Sequence, residues 1–392
     1  MGLPGVNINV KNGSLGSVPT SKDSIAGVVL TGVTVTGANK ITVGDSEQIF
    51  SLADAEGLGI LSTGLNAYAY TQIKEFYDTA GTGAELWIML ALATITMEDM
   101  LDKTKPYAKK LIDDAKGSIR KLAVSRKSAA GVTIVNGLDA DVDKALIKGQ
   151  VLANEAASTF KPFRFLVDGK DFNGITADLK DYSTAGFNRG GVLLGATSAI
   201  KNSSVGFALG TMAKLPVQRK ISRVKNGALQ NSEAFFTNQA TTESLENSWG
   251  SIHDKGYIFF RKFVGKSGFY FSSDRTATAL TDDYASFVNG FVIDKGITIT
   301  YLTYVEEVED EIDVDENGKI EGATLKALQA EIENQIELQM IGNREASNVT
   351  ALINPNQNVI ATSDLDISLG IQPKGYKKMI NIDLGLINPA NV

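Results

Sequence analysis

The sequence predicts an α/β protein: a mixed sheet covered by helices, a strand-rich C-terminal half, and extended N- and C-terminal β arms. Three observations lead there. Between residues 23 and 245, short continuous apolar runs alternate with amphipathic stretches, the pattern of strands buried on both faces with helices between them. From 246 to 363, aromatic and β-branched residues gather in short runs separated by turn residues, followed by one amphipathic helix. Residues 1–22 and 364–392 alternate apolar and polar positions beside glycine-containing hinges, as arms would.

The elements follow in chain order. Val6, Ile8 and Val10 alternate with Asn7, Asn9 and Lys11, a strand pattern too short to be stable alone, and Asn12–Ser17 is a flexible tether. Ile25–Thr31 is an apolar β-branched run. Asn66–Thr79 carries Ala69, Ile73, Phe76 and Tyr77 at helical spacing, and Leu86–Leu92 is apolar throughout. Met97–Ala115 reads as helix entered through Thr96 as N-cap, with Pro106 expected to kink or split it. Then come strand Ile119–Val124, helix Asp139–Thr159, strands Phe163–Val167 and Gly191–Leu194, and helix Ser198–Leu209.

Past residue 246, Gly256–Val264 and Ser267–Ser272 predict a hairpin across Gly265-Lys266, and Ile297–Val305 predicts a strand. Asn317-Gly318, between Val314 and Ile320, is a two-residue hairpin signal. Leu325, Leu328, Ile332, Ile336 and Met340 step by three and four, one apolar helical stripe. Leu365, Ile367, Leu369 and Ile371 alternate with polar residues. After Pro373-Lys374-Gly375 the alternation resumes at Ile380, Ile382, Leu384 and Leu386, predicting a C-terminal hairpin.

Composition narrows the chemistry. The 392 residues include no cysteine, which excludes disulfides, thiolate metal sites and cysteine nucleophiles, and fits a reducing compartment or a virion. The single histidine, His253, leaves little for general-base or transition-metal chemistry, and its run Ser251-Ile252-His253-Asp254 reads as structural because triad members are seldom sequence neighbours. Residues 305–337 hold twelve carboxylates against Lys319 and Lys326, a local net of −10 within a total of −7, so the remainder is near neutral at +3. No basic, aromatic-interleaved surface dominates, which argues against nucleic acid as a main partner. The stretch 214–225, with Arg219, Lys220 and Arg223, is the best basic patch, and the segment 306–316 is its candidate complement. The most apolar run, Leu86–Ile95, is too short to span a bilayer, and the N-terminus lacks a signal-peptide pattern.

The nucleotide and metal motifs are weak. Asp313, Asp315, Asn317 and Gly318 imitate the opening of a calcium loop, but the twelfth position is Thr324 where a bidentate Glu is needed, so a hairpin turn is the expectation. Gly265-Lys266-Ser267 imitates the end of a phosphate loop, but Phe260 stands where its first glycine belongs. Gly81-Thr82-Gly83 leads into a strand, where a dinucleotide fingerprint would open a helix. No catalytic, cofactor-binding or metal residue is assigned.

The region from about residue 250 onward resembles contractile tail sheath proteins of myophages and related injection machines. The residues that carry it are 268–278 (Gly-Phe-Tyr-Phe-Ser-Ser-Asp-Arg-Thr-Ala-Thr), Thr281-Asp282-Asp283-Tyr284, Val292-Ile293-Asp294-Lys295, Ile371-Gln372-Pro373-Lys374-Gly375-Tyr376 and the terminal Leu384-Gly385-Leu386-Ile387-Asn388-Pro389. The opening Gly2-Leu3-Pro4-Gly5-Val6 also looks like a sheath start, while 40–245 matches much less. The resemblance implies a structural subunit without catalytic role or cofactor. It implies six-fold rings stacked helically around a tail tube, and partners that include baseplate and tail terminator proteins but neither nucleic acid nor a membrane. The particle would be a virion tail or injection system assembled in the bacterial cytoplasm. It further implies that terminal arms add strands to neighbouring subunits, which makes Val6, Ile8, Val10, Ile380, Ile382, Leu384 and Leu386 the expected subunit-interface residues. A carboxylate- or metal-dependent α/β enzyme, or another self-assembling subunit such as a tail tube or surface-layer protein, is the alternative.

Overall fold

A computed structural model describes residues 22–305 and 307–386. The chain divides into two compact units at residue 305/306, so the boundary expected at 245/246 falls inside the first unit.

The first unit is built on a seven-stranded sheet. Its strands are β1 (Ala26–Thr31), β2 (Ser46–Ile49), β3 (Leu86–Ala91), β4 (Lys121–Ser125), β5 (Arg164–Asp168), β6 (Gly190–Leu193) and β7 (Tyr257–Ile258). They stand in the order β7-β6-β5-β4-β1-β3-β2, all neighbours parallel except β2, which runs antiparallel on β3 at the edge. β1, β4 and β5 are buried at every position; β1 reads as an apolar run, while β4 and β5 have apolar centres flanked by the buried polar residues Lys121, Ser125, Arg164 and Asp168. The polar edge strand β2 carried no such signal.

Helices α1 (Ala67–Ala80) and α5 (Val205–Lys214) cover one face; α2 (Met97–Leu101), α3 (Ala108–Asp114) and α4 (Asp141–Ser158) cover the other. Pro106 does split the expected helix 97–115 into α2 and α3, and the Thr96 hydroxyl caps α2 by accepting the Asp99 N–H at 3.0 Å. α1 and α5 pack backbone to backbone: a Cβ on Gly206 would stand 1.9 Å from the Gln72 carbonyl oxygen, so only glycine fits. The expected helix 198–209 starts later, at Val205, because Asn202 and Ser203 are held outside the helix by Asp168.

Residues 297–304 of the expected strand 297–305 are helix, correcting that expectation. They are the C-terminal part of α6 (Phe287–Tyr304), whose buried Phe287, Val288, Phe291, Val292 and Ile299 sit at helical spacing. Tertiary burial overrides the β propensity of Ile297, Thr298 and Ile299. α6 is fastened at the start of the parallel strands by Asp294. That carboxylate pairs with Arg164 at 2.9 Å and Arg189 at 3.1 Å, and the Arg164 and Asp294 side chains are buried. The expected hairpin across Gly265-Lys266 forms, pairing β8 (Phe260–Arg261) with β9 (Tyr270–Phe271).

The second unit is smaller: α7 (Gly322–Ile336), β10 (Ala346–Ile353) and β11 (Ile367–Pro373), with a short π-helical turn at Glu337–Ile341. β10 and β11 form an antiparallel two-stranded sheet. The α7 stripe is as read from sequence, since Leu325, Leu328, Ile332, Ile336 and, in the following turn, Met340 are all buried.

Candidate assembly interface

β11 pairs with β10 in the register Ile353↔Ile367, Ala351↔Leu369 and Val349↔Ile371. The predicted partner, 380–386, forms no strand, so the expected C-terminal hairpin does not exist within the chain. The physical reason is competition: β10 offers a longer ladder and the backing of α7.

The two edges of this small sheet differ. On β10 the outer edge is occupied: the Ala351 N–H donates to Glu333 Oε1 at 2.7 Å, and Gln329 Nε2 donates to the Ala351 carbonyl at 3.1 Å. Leu369 faces Ala351 across the ladder. By the alternation of an antiparallel pair, it turns its own N–H and C=O to the outer edge of β11. Ile367, Leu369 and Ile371 are half-buried while Ser368, Gly370 and Gln372 are exposed. Among the described residues, the result is an open strand edge with one apolar face that α7 covers incompletely, a template for a further strand.

Beyond β11 lies a segment with the matching pattern. Ile380, Ile382, Leu384 and Leu386 are 70%, 78%, 95% and 105% exposed and alternate with Asn381, Asp383 and Gly385. Burying one such side chain is worth roughly 1.5–3 kcal/mol, so a row of four left in water is an unspent association energy. The other expected interface residues, Val6, Ile8 and Val10, lie outside the described residues.

The remaining sequence candidates resolve into structure. His253 lies on a short helix (Trp249–Asp254), with Nδ1 3.1 Å from Asp254 Oδ1. Asp315 Oδ1 accepts the Asn317 and Lys319 N–H groups at 2.8 and 2.9 Å, and Val314 bridges Ile320, so the calcium-like run is the expected hairpin turn. In the basic stretch, Lys220 already pairs with Asp274 at 3.1 Å and donates to Ser286 at 3.0 Å. Among the described residues, no group of three or more His, Asp or Glu could hold a metal ion.

Sequence reasoning missed a buried polar cluster at the carboxyl ends of β4 and β5. Doubly wound sheets bind ligands at such strand ends. Here Asp168, fully buried, accepts hydrogen bonds from Ser125 Oγ, Asn202 Nδ2 and both N–H and Oγ of Ser203. Burial pushes its carboxyl up to about 6, against the pull of those donors. Nearby on α1, Glu75 accepts from Thr197 and Ser204, and burial pushes it up to about 7. Neither the spacing nor the residue types announced this network, because its members come from five separated segments, at Glu75, Ser125, Asp168, Thr197 and 202–204. A cleft of about 290 Å³ opens near the start of α4, but its charges compensate one another: Lys170 pairs with Asp139 at 2.6 Å, and Asp141 caps α2 through the Met97 and Glu98 N–H groups.

Family models place the chain. One, described as DUF2586, N-terminal domain, matches residues 3–275; its companion, DUF2586, C-terminal domain, matches 283–391. The chain belongs to the DUF2586 family. A search of curated proteins finds no match. Among solved structures, the chain is similar to a subunit of the anti-feeding prophage helical sheath in its contracted state, at 15% identity and TM-score 0.64, over 98% of this chain and 99% of that one. It is likewise similar to the sheath complex of the extracellular contractile injection system PVC in contracted state, at 14% identity and TM-score 0.63, over 100% and 99% of the two chains. A chain of the anti-feeding prophage baseplate matches at 14% identity and TM-score 0.63, over 99% and 100%. This DUF2586 chain therefore shares, end to end, the fold of contractile injection sheath subunits.

Proposed function

We propose that this DUF2586 protein is a structural, non-enzymatic subunit of a contractile sheath. Copies polymerise as a helical sleeve of six-fold rings around a tail tube, with baseplate and terminator proteins at its ends, and contraction drives the tube through a target envelope. Assembly takes place in the bacterial cytoplasm, and the finished location is a tail or injection particle. The end-to-end fold likeness supports the class. The observation that carries the mechanism is the mismatch within the chain: an open apolar edge on β11 and an exposed alternating segment, 380–386, that does not fill it. Exchange of that segment between copies satisfies both, through main-chain hydrogen bonds for affinity and alternating side chains for register. Val6, Ile8 and Val10 supply a second donated strand. The polar network that fills the strand ends agrees with a scaffold.

The test is negative-stain electron microscopy of the purified chain at high concentration beside a variant truncated after Met379. Wild type forms hollow striated cylinders, and the truncated chain stays folded and monodisperse by circular dichroism and light scattering. Cylinders from the truncated chain would refute the exchange.

A further inference from the structure

We propose that the acidic hairpin 313–321 of one copy clasps Lys374, Lys377 and Lys378 of a second copy, and so fixes the incoming segment 380–386 parallel to β11. This rests on the strand-exchange reading above and adds its direction and its electrostatic determinant.

Eight carboxylates lie between residues 307 and 321, all of them exposed, and among the described residues none makes an ion pair. The one cation in that stretch, Lys319, is directed to Asn356 Oδ1 at 2.9 Å. The same unit carries an equally unpaired cluster of opposite sign at Lys374, Lys377 and Lys378, the last two exposed, immediately before the alternating segment. Two uncompensated clusters of opposite charge on one polypeptide are each other's natural complement once copies meet.

The hairpin's position selects the direction. It is tied to the β10–β11 connection: Lys319 bridges Asn358, and Asn358 Nδ2 donates to the Asn317 carbonyl at 3.4 Å. In the same connection Gln357 holds Asp366, the residue before β11, through bonds of 2.7 and 2.9 Å. The acidic hairpin therefore sits at the Ile367 end of β11. A donated strand running parallel to β11 places residue 380 near Ile367, and its lysines extend beyond that end by about 7–20 Å at about 3.3 Å per residue, over the acidic hairpin. The antiparallel alternative carries the lysines to the Pro373 end, away from it.

The chain has no cysteine, so introduced thiols report alone. Full-length Glu316→Cys and Lys378→Cys, expressed separately and mixed under assembly conditions, are expected to give a disulfide-linked dimer. Gln372→Cys mixed with Lys378→Cys tests the antiparallel register and is expected to stay unlinked. Independently, the triple change Lys374→Glu, Lys377→Glu, Lys378→Glu is expected to raise the protein concentration needed for assembly about tenfold, as is Asp313→Lys, Glu316→Lys, Glu321→Lys; combining the two sets restores it. Preferential 372–378 linkage, no 316–378 linkage on mixing, or charge variants that assemble like wild type overturn the clasp. Truncation after Met379 separates the two levels. If the truncated chain assembles normally, strand exchange itself fails; if it does not while the charge variants do, only the clasp fails.

Discussion

At the residue scale, the most consequential groups are buried and charged. Asp294 compensates two arginines at once, and Arg164 has almost no contact with water. Removing the shared carboxylate strands both cations, so Asp294→Ala is expected to cost about 3–5 kcal/mol in urea denaturation. Glu75 and Asp168 work in the opposite sense. Their folded values of about 7 and about 6 stand above the usual carboxylate range because burial disfavours the charged form. The native state therefore keeps protons that the unfolded chain releases. The stability these groups contribute is complete below about pH 4 and is lost as pH rises through about 6 to 7. Glu75→Gln should remove that loss, so the difference in unfolding free energy between variant and wild type grows by about 2–3 kcal/mol from pH 4.5 to pH 8. A difference that does not change with pH would refute the assignment. None of these pairings could be read from sequence, since Arg164 and Asp294 are 130 positions apart.

At the element scale, helices α1 and α5 depend on contact without side chains. Gly206→Ala must push a Cβ into the Gln72 carbonyl and is expected to lower stability by about 1–3 kcal/mol, seen as a lower melting temperature without loss of the sheet's circular dichroism signature. Strands of the parallel sheet were legible because burial on both faces favours apolar residues at successive positions, as in Leu122–Val124 and Phe165–Val167, and α7 because a one-sided helix must show its stripe. α6 and β2 were not. α6 is buried along much of its first half and carries β-branched residues, and β2 is a polar edge strand whose identity comes from its neighbour β3. Of the two alternating segments, 380–386 forms no strand within the chain, and 365–371, most of which lies in β11, was read correctly as strand-forming. Its pairing was not, because local pattern says nothing about which partner a strand will find.

At the scale of the whole molecule, the two units divide the labour. The first is a doubly wound body with the buried Asp168 network at the carboxyl ends of β4 and β5; the second presents, among the described residues, an open edge and an exposed alternating segment. A sleeve that holds energy in its interfaces needs rigid bodies and exchangeable joints, and a small preference per copy, about 1–3 kcal/mol, becomes decisive when many copies switch together. Deleting residues 1–12 is expected to leave a folded chain that no longer forms cylinders; normal cylinders would remove the N-terminal segment from the joint.

The sequence by itself determined the layer architecture, the absence of cysteine chemistry, the acidic hairpin with its Asn317-Gly318 turn, and the alternating segments near the C-terminus. The hairpin and the alternating segments are local patterns, set by periodicity and turn residues over fewer than twenty positions, the layer architecture is a succession of such patterns, and the absence of cysteine is composition. Only the tertiary structure decided that 297–304 is helix, that Asp168 and Glu75 are buried together, and that β11 pairs with β10. Those outcomes depend on which distant segments compete for the same partner, a contest that local sequence does not encode.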